Sequence, residues 1–414
     1  LQDWFASTQL FYRLSHYRVI LPLIGVSLLI SFIILKRTKY PLQRTTIYLN
    51  LLMLLFVFFE LIGLTKNAWL HRSDKNEQNT ETTATSAIEA PDIYYLLLDG
   101  YAGHSSLLSF AKFDNSSFED SLRSMGFNIA KQAHSNYNFT PFSLASTLNM
   151  RFIKGIADLD NCTPEDYLKR AEEIRENKVT NYLSKRGYEI VNNSVFDLEG
   201  QPSPVSETFL PLKGRLLTDQ TLVSRARRDL LHLLLVGRFA VSWLRIDPYT
   251  TLRNNEKLIA STKDVAAQQT TKPKFVYTHL YMPHPPYYYD ELGKLRPGTE
   301  VEKMPSPAGE LTLYINNLRV TNVVVLQMIN TILKNSKHPP VILITGDHGF
   351  RPAEGVNDPR IFNTLAAVFV QGSKSPPFYD SISNVNHFPV LFNRLFRDSI
   401  PVQKDSIVFL QDQK

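Results

Sequence analysis

The chain has 414 residues, 43% of them hydrophobic and 11% aromatic, enough to bury a sizeable core in roughly two or three structural units. A net charge of +6 suits an anionic membrane surface or an anionic substrate, and the absence of any Lys/Arg stripe excludes nucleic acid as a partner. The single cysteine, Cys162, excludes an intramolecular disulfide and any multi-cysteine metal site.

In chain order, two apolar runs come first. Residues 19–35 are uncharged between Arg18 and Lys36, and residues 47–64 are apolar apart from Asn50, Glu60 and a few small side chains. Each approaches the ~20 residues that cross a bilayer as a helix. The alternative is a pair of buried core helices. The loop between the runs holds Lys36, Arg37, Lys39 and Arg44 and no acid, as short cytoplasmic loops do. The pattern predicts a membrane-proximal segment over 1–18, two transmembrane helices with a cytoplasmic basic hairpin over 19–64, and an extracytoplasmic linker over 65–90. That linker is polar and without apolar period from Ser73 onward. Beginning at Leu1 rather than Met, the chain reads as part of a longer protein with further spans upstream.

From Pro91 the pattern changes. Residues 93–98, 274–281, 341–345 and 365–370 are short apolar runs without alternation, the mark of strands buried on both faces. Helical patterns lie between them, over 165–185 and 311–334. Strands alternating with helices predict an α/β catalytic domain over 91–414, with a mostly parallel central sheet and helices on both faces. Residues 210–262, basic and irregular, read as an insertion or a lid.

A parallel sheet binds ligands beyond the C-terminal ends of its strands. The first strand ends in Asp99-Gly100, and the strand at 341 in Thr345-Gly346-Asp347-His348-Gly349. The strand at 274 carries His279 and runs on to His284. Two carboxylates and up to three imidazoles therefore reach one edge, a ligand set suited to Zn²⁺ or Mn²⁺. A hydroxyl nucleophile would complete such a site. Thr140 before Pro141 fits a helix cap with Pro at the first helical position, where N–H groups are offered to an anion. Ser143 is the rival nucleophile and Ser146 a third. Singly, these residues have plainer readings: Asp99-Gly100 as a turn, Thr140 as a cap only, His279 as a core histidine, His284 as part of a rigid proline-rich turn. His104, His134 and His387 are read as structural or solvent-facing. Arg351 and Arg360 are placed near the site.

Taken in order, the motifs resemble the sulfatase-like branch of the alkaline phosphatase superfamily. Residues 91–100, Pro-Asp-Ile-Tyr-Tyr-Leu-Leu-Leu-Asp-Gly, resemble its opening strand, and Thr345-Gly346-Asp347-His348-Gly349 resembles its Asp-His-Gly metal motif. Thr140-x-x-Ser143 resembles the nucleophile motif of lipoteichoic acid synthases and lipid A phosphoethanolamine transferases. His279 and His284 share the spacing of two histidines in the latter, and residues 382–389 resemble the late helix that closes the domain. The resemblance covers about residues 91–400, and the transmembrane start is similar as well.

This resemblance implies one divalent metal, Zn or Mn, held by Asp99, Thr140, Asp347 and His348. It makes Thr140 the catalytic nucleophile and His284 the group that protonates the leaving alcohol. Substrate contacts fall on His279, His284, Ser143 and Arg360. Asp99 stands where the transferases usually have Glu, and Arg360 where they have a further histidine, which leaves a second metal without a full ligand set. The implied protein is a multi-pass bacterial inner-membrane enzyme that moves or hydrolyses phosphate esters of lipid or glycan headgroups through a covalent phospho-threonine. Formylglycine sulfatases use Cys-x-Pro-x-Arg, whereas Cys162-Thr163-Pro164-Glu165-Asp166 ends in Asp. The alternatives are a sulfuric ester hydrolase of the same family, a catalytically inactive membrane-bound binding module of the same fold, and a phosphodiesterase-like or phosphoglycerate-mutase-like enzyme, which needs a fuller two-metal ligand set.

Overall fold

The computed structural model describes residues 90–205 and 247–411, apart from 157, 269, 304, 353–357 and 373–375, together with scattered helical positions between 25 and 54. Two compact units divide the chain, residues 1–85 and 86–414. The transmembrane and linker expectations fall mostly outside the described residues. Among the described residues no helix is long and apolar enough to cross a membrane.

The second unit is built on a six-stranded sheet of order β2-β6-β5-β1-β4-β3. The strands are β1 (Ile93–Leu98), β2 (Asn128–Ile129), β3 (Glu189–Asn193), β4 (Lys274–Leu280), β5 (Val341–Gly346) and β6 (Ala366–Phe369). Central β1, β4 and β5 are buried along their whole length, so their apolar runs without alternation are satisfied on both faces. Even Lys274 is buried, and its ammonium donates to the carbonyls of Val265 and Gln268 at 2.7 and 2.8 Å.

The sheet is mixed rather than simply parallel. β3, β4, β1 and β5 pair in parallel, while β6 runs antiparallel to β5 and β2 antiparallel to β6. The reason lies in the β5–β6 connection. Parallel pairing requires a crossover, usually a helix, that returns the chain to the starting edge. Between Gly346 and Ala366 the described residues hold only a short 3₁₀ turn, Pro359–Phe362, so the chain comes straight back beside β5.

Other expectations shift in detail. The pattern at 165–185 is two helices, Pro164–Arg175 and Lys178–Lys185, because the Asn177 side chain accepts from the Thr180 N–H and starts a new one. The 311–334 pattern extends to Pro307–Asn335, opened by Ser306 as cap and Pro307 in the first turn. Residues 206–246 lie outside the described ones, but the end of the expected lid is an ordinary helix, Thr250–Ala267. It buries Leu252, Asn255, Leu258, Thr262 and Ala266, a spacing that was hidden by the polar residues among them.

Register places the site. Leu98 lies opposite Leu280 on one side and Gly346 on the other, so Asp99, Tyr281 and Asp347 leave the sheet level with one another. Gly100 turns the chain with φ +69°, and a Cβ at Gly346 would meet the Tyr101 carbonyl at 2.6 Å, so the two turns nest closely.

Candidate active site

Asp99, Asp347 and His348 bring one ligand atom each within 4.8 Å of the others, all three buried. Each is fastened from behind. The Gly100 N–H donates to Asp347 Oδ1 at 2.9 Å, and His279 Nε2 lies 3.3 Å from Asp99 Oδ2. The other oxygens, Asp99 Oδ1 and Asp347 Oδ2, are buried with no hydrogen-bond partner among the described residues. His348 Nδ1 lies 2.7 Å from the Gly349 carbonyl, and a carbonyl only accepts, so Nδ1 carries the proton. The Nε2 lone pair then faces Asp99 Oδ1 at 3.8 Å and Asp347 Oδ2 at 3.5 Å. Three dehydrated acceptors facing one another is costly unless a cation sits among them. This donor set fits a divalent metal of the Zn²⁺ or Mn²⁺ kind.

Thr140 opens the Thr140–Asn149 helix, with Phe139 and not Thr140 in the cap position and no side-chain cap bond. The cap reading of Thr140 is therefore corrected. Its buried hydroxyl faces His348 Nε2 at 3.4 Å instead. Ser143 lies one turn on, and its hydroxyl is committed, donating to the Asp347 carbonyl at 2.6 Å. It braces the turn that carries the Asp-His pair rather than reaching substrate.

The three remaining residues separate. His284 is partly exposed; its Nδ1 lies 2.7 Å from the Pro285 carbonyl, which leaves the Nε2 lone pair 3.9 Å from Asp99 Oδ1. Burial lowers its basicity, Asp99 opposes that, and His348 and Arg351 add to it, so the ring enters neutral. Burial pushes the Asp99 carboxyl up, but the hydrogen bond from His279 Nε2 favours its ionised form, and the net direction is downward. His279 is completely buried, stacked against Phe196. It orients Asp99 and has no face open to substrate, so its expected substrate contact is corrected. Arg360 is also corrected: its guanidinium is exposed and turned back on Asp358, Nε at 2.8 Å and Nη2 at 2.5 Å. Asp358 caps the 3₁₀ turn two residues earlier and holds the side chain there. The basic side chain that lines the pocket beside Gly100, His284 and His348 is Arg351.

Several positioning residues escaped the sequence reading. Asn255 bonds the Tyr281 backbone at both N–H and C=O, 2.8 and 3.1 Å, and Asn317 accepts from the N–H groups of Tyr288 and Tyr289 at 3.0 and 3.2 Å. Together they fix the loop that carries His284. The Tyr314 hydroxyl clamps the turn after β1 between Ala102 N–H and Gly100 C=O, and Asn384 donates to the Gly346 carbonyl after β5. The one advance signal was polar side chains at core-facing helical positions.

The fold and this carboxylate–imidazole–hydroxyl cluster define an α/β domain with a candidate metal centre. Residues 220–385 match the family model described as sulfatase. No curated protein matches the chain. Among solved structures it is similar to the C-terminal periplasmic domain of the phosphoethanolamine transferase EptC from Campylobacter jejuni, at 14% identity over 74% of this chain and 90% of that one, with a TM-score of 0.43. It is similar to the corresponding EptC domain from Escherichia coli at 13% identity over 79% and 88%, TM-score 0.44. It is also similar to the phosphonate monoester hydrolase of Agrobacterium radiobacter at 12% identity over 74% of each chain, TM-score 0.45.

Proposed function

We propose that this protein is a membrane-anchored, metal-dependent phosphotransferase or hydrolase acting outside the cytoplasm on phosphate esters of lipid or glycan headgroups. The observation that carries the reading is the Thr140 hydroxyl, free of any capping bond and set against His348 Nε2 at the rim of two orphaned carboxylate oxygens. Asp99, Asp347, His348 and Thr140 are the residues that would hold a divalent cation. When bound, such a cation supplies Lewis acidity that makes a threonine hydroxyl a competent nucleophile near neutral pH.

The chain's own groups divide the remaining work. Thr140 Oγ1 attacks phosphorus and the leaving alcohol departs, which gives a phospho-threonine. One proton leaves Thr140 and one is required by the departing alkoxide. His284, neutral with its Nε2 lone pair inward, is the group placed to carry that proton across. An acceptor alcohol or water then attacks phospho-threonine; the phosphorus–Oγ1 bond breaks, and His284 carries the proton of the incoming group to Thr140 Oγ1, which restores both residues. Asp99 is held ionised and oriented by His279 throughout.

Anchoring is supported by the apolar runs and by described helical positions whose apolar side chains are exposed, among them Leu29, Ile30, Ile47, Leu51 and Leu54. Sulfate ester cleavage is the second reading, favoured by the sulfatase family match. A formylglycine route through Cys162 is disfavoured, because that residue is buried in a separate cluster with Tyr137, Phe142 and Leu410.

The test is adduct trapping. The full chain, incubated with labelled phospholipid extract and separately with an aryl sulfate, is digested and mapped by mass spectrometry. A phosphate-bearing Thr140 peptide, lost in Thr140→Ala together with turnover, is expected. Normal turnover in Thr140→Ala sinks the reading, and an adduct formed only from the sulfate selects the second.

A further inference from the structure

We infer that Arg351 holds the anionic oxygens of the substrate ester at this site, an assignment that rests on the reading of the site as one for phosphate or sulfate esters. Three observations converge on it. Arg351 is the one Lys or Arg among the described residues lining the pocket with His284 and His348. Its Nη1 donates to the Asn138 carbonyl at 2.6 Å, and its guanidinium carbon lies 4.9 Å from the centre of the Phe139 ring. The two residues immediately before Thr140 therefore hold the guanidinium.

The third observation is charge. Asp99 and Asp347 are buried beside His348, which lines the pocket, and alone they repel an anionic ester. A divalent cation at their orphaned oxygens cancels that repulsion and adds nothing net, so Arg351 supplies the pocket's surplus positive charge. A guanidinium carries five N–H donors in a planar fork, and one bond to Asn138 does not exhaust them. Two parallel bonds to the non-bridging oxygens of a tetrahedral phosphate or sulfate use that fork fully. Arg360, expected from sequence to fill this role, is held by Asp358 outside the pocket.

The experiment titrates the metal-loaded full chain with inorganic phosphate, and in a second arm with inorganic sulfate, by calorimetry. Arg351→Gln removes the charge while its amide still offers a donor to Asn138. It is expected to bind the anion about ten- to hundredfold more weakly. Arg360→Gln is expected to match the wild type. An Arg351→Gln affinity within about twofold of wild type, or no binding of either anion to the wild type, overturns the assignment. Should the variant not fold, modification of the wild type with phenylglyoxal decides. Phosphate slows labelling of Arg351 and leaves Arg360 unaffected if the assignment holds, whereas equal rates with and without phosphate overturn it. Thr140→Ala separates the two readings. Retained turnover there removes the nucleophile and leaves the anion assignment standing. Lost turnover with unchanged anion binding in Arg351→Gln removes Arg351 alone.

Discussion

Replacing Asp347 by Asn tests the metal centre through two effects of opposite sign. The wild-type carboxylate accepts from Gly100 N–H through Oδ1 and presents Oδ2, without a partner, to His348 Nε2 at 3.5 Å. Asparagine keeps the first bond and places an N–H where the orphaned oxygen was. It also removes one of two like charges whose ligand atoms lie within 4.8 Å. At an effective dielectric of ~20 such a pair repels by about 3–4 kcal/mol. Metal-free Asp347→Asn is therefore expected to be more stable than the metal-free wild type, melting about 3–6 °C higher. Metal affinity is expected to fall at least about a hundredfold, because a charged ligand has become a neutral one. Calorimetric melts in chelator and in added Zn²⁺ or Mn²⁺, with metal per chain by mass spectrometry, read both effects. A chelated variant melting at or below wild type, with unchanged metal content, would refute the reasoning.

Ser143→Ala deletes the bond to the Asp347 carbonyl and is expected to cost about 1–2 kcal/mol by urea unfolding, with turnover reduced but present; abolished turnover at normal stability would make Ser143 the nucleophile. Truncation after Asp405 removes the tail whose Ser406, Val408 and Leu410 backbones bond Asn136 and Asn138 just before Thr140. It is expected to abolish turnover while the sheet survives by circular dichroism, and full activity in the truncated chain would show that the nucleophile loop stands without it. His387 is buried against Phe378, its ring nitrogens lacking partners among the described residues, and burial pushes it down to about 3. Below pH ~6.5 the unfolded chain takes up a proton that the folded one refuses, so stability falls by about 1.4 kcal/mol per pH unit down to about 3, and above ~6.5 this contribution vanishes. His387→Phe is expected to flatten that slope between pH 7 and 5; an unchanged slope in urea unfolding assigns it elsewhere.

The strands β1, β4 and β5 were legible because a strand buried on both faces must be apolar throughout, and few other structures demand that. Asp99 and the Asp347-His348 pair were legible for the related reason that polar residues directly after such strands must emerge at one sheet edge. The direction of β6 was not legible, since an apolar run pairs equally well either way and only the lack of a crossover helix decides. Nor was the choice among hydroxyls and arginines. Thr140 and Ser143 differ in which carbonyl lies within reach, and Arg351 and Arg360 in whether Asp358 or Asn138 captures the guanidinium. Local sequence determined which groups stand near the sheet edge. Long-range hydrogen bonds, absent until the chain has folded, decided which of them face the pocket.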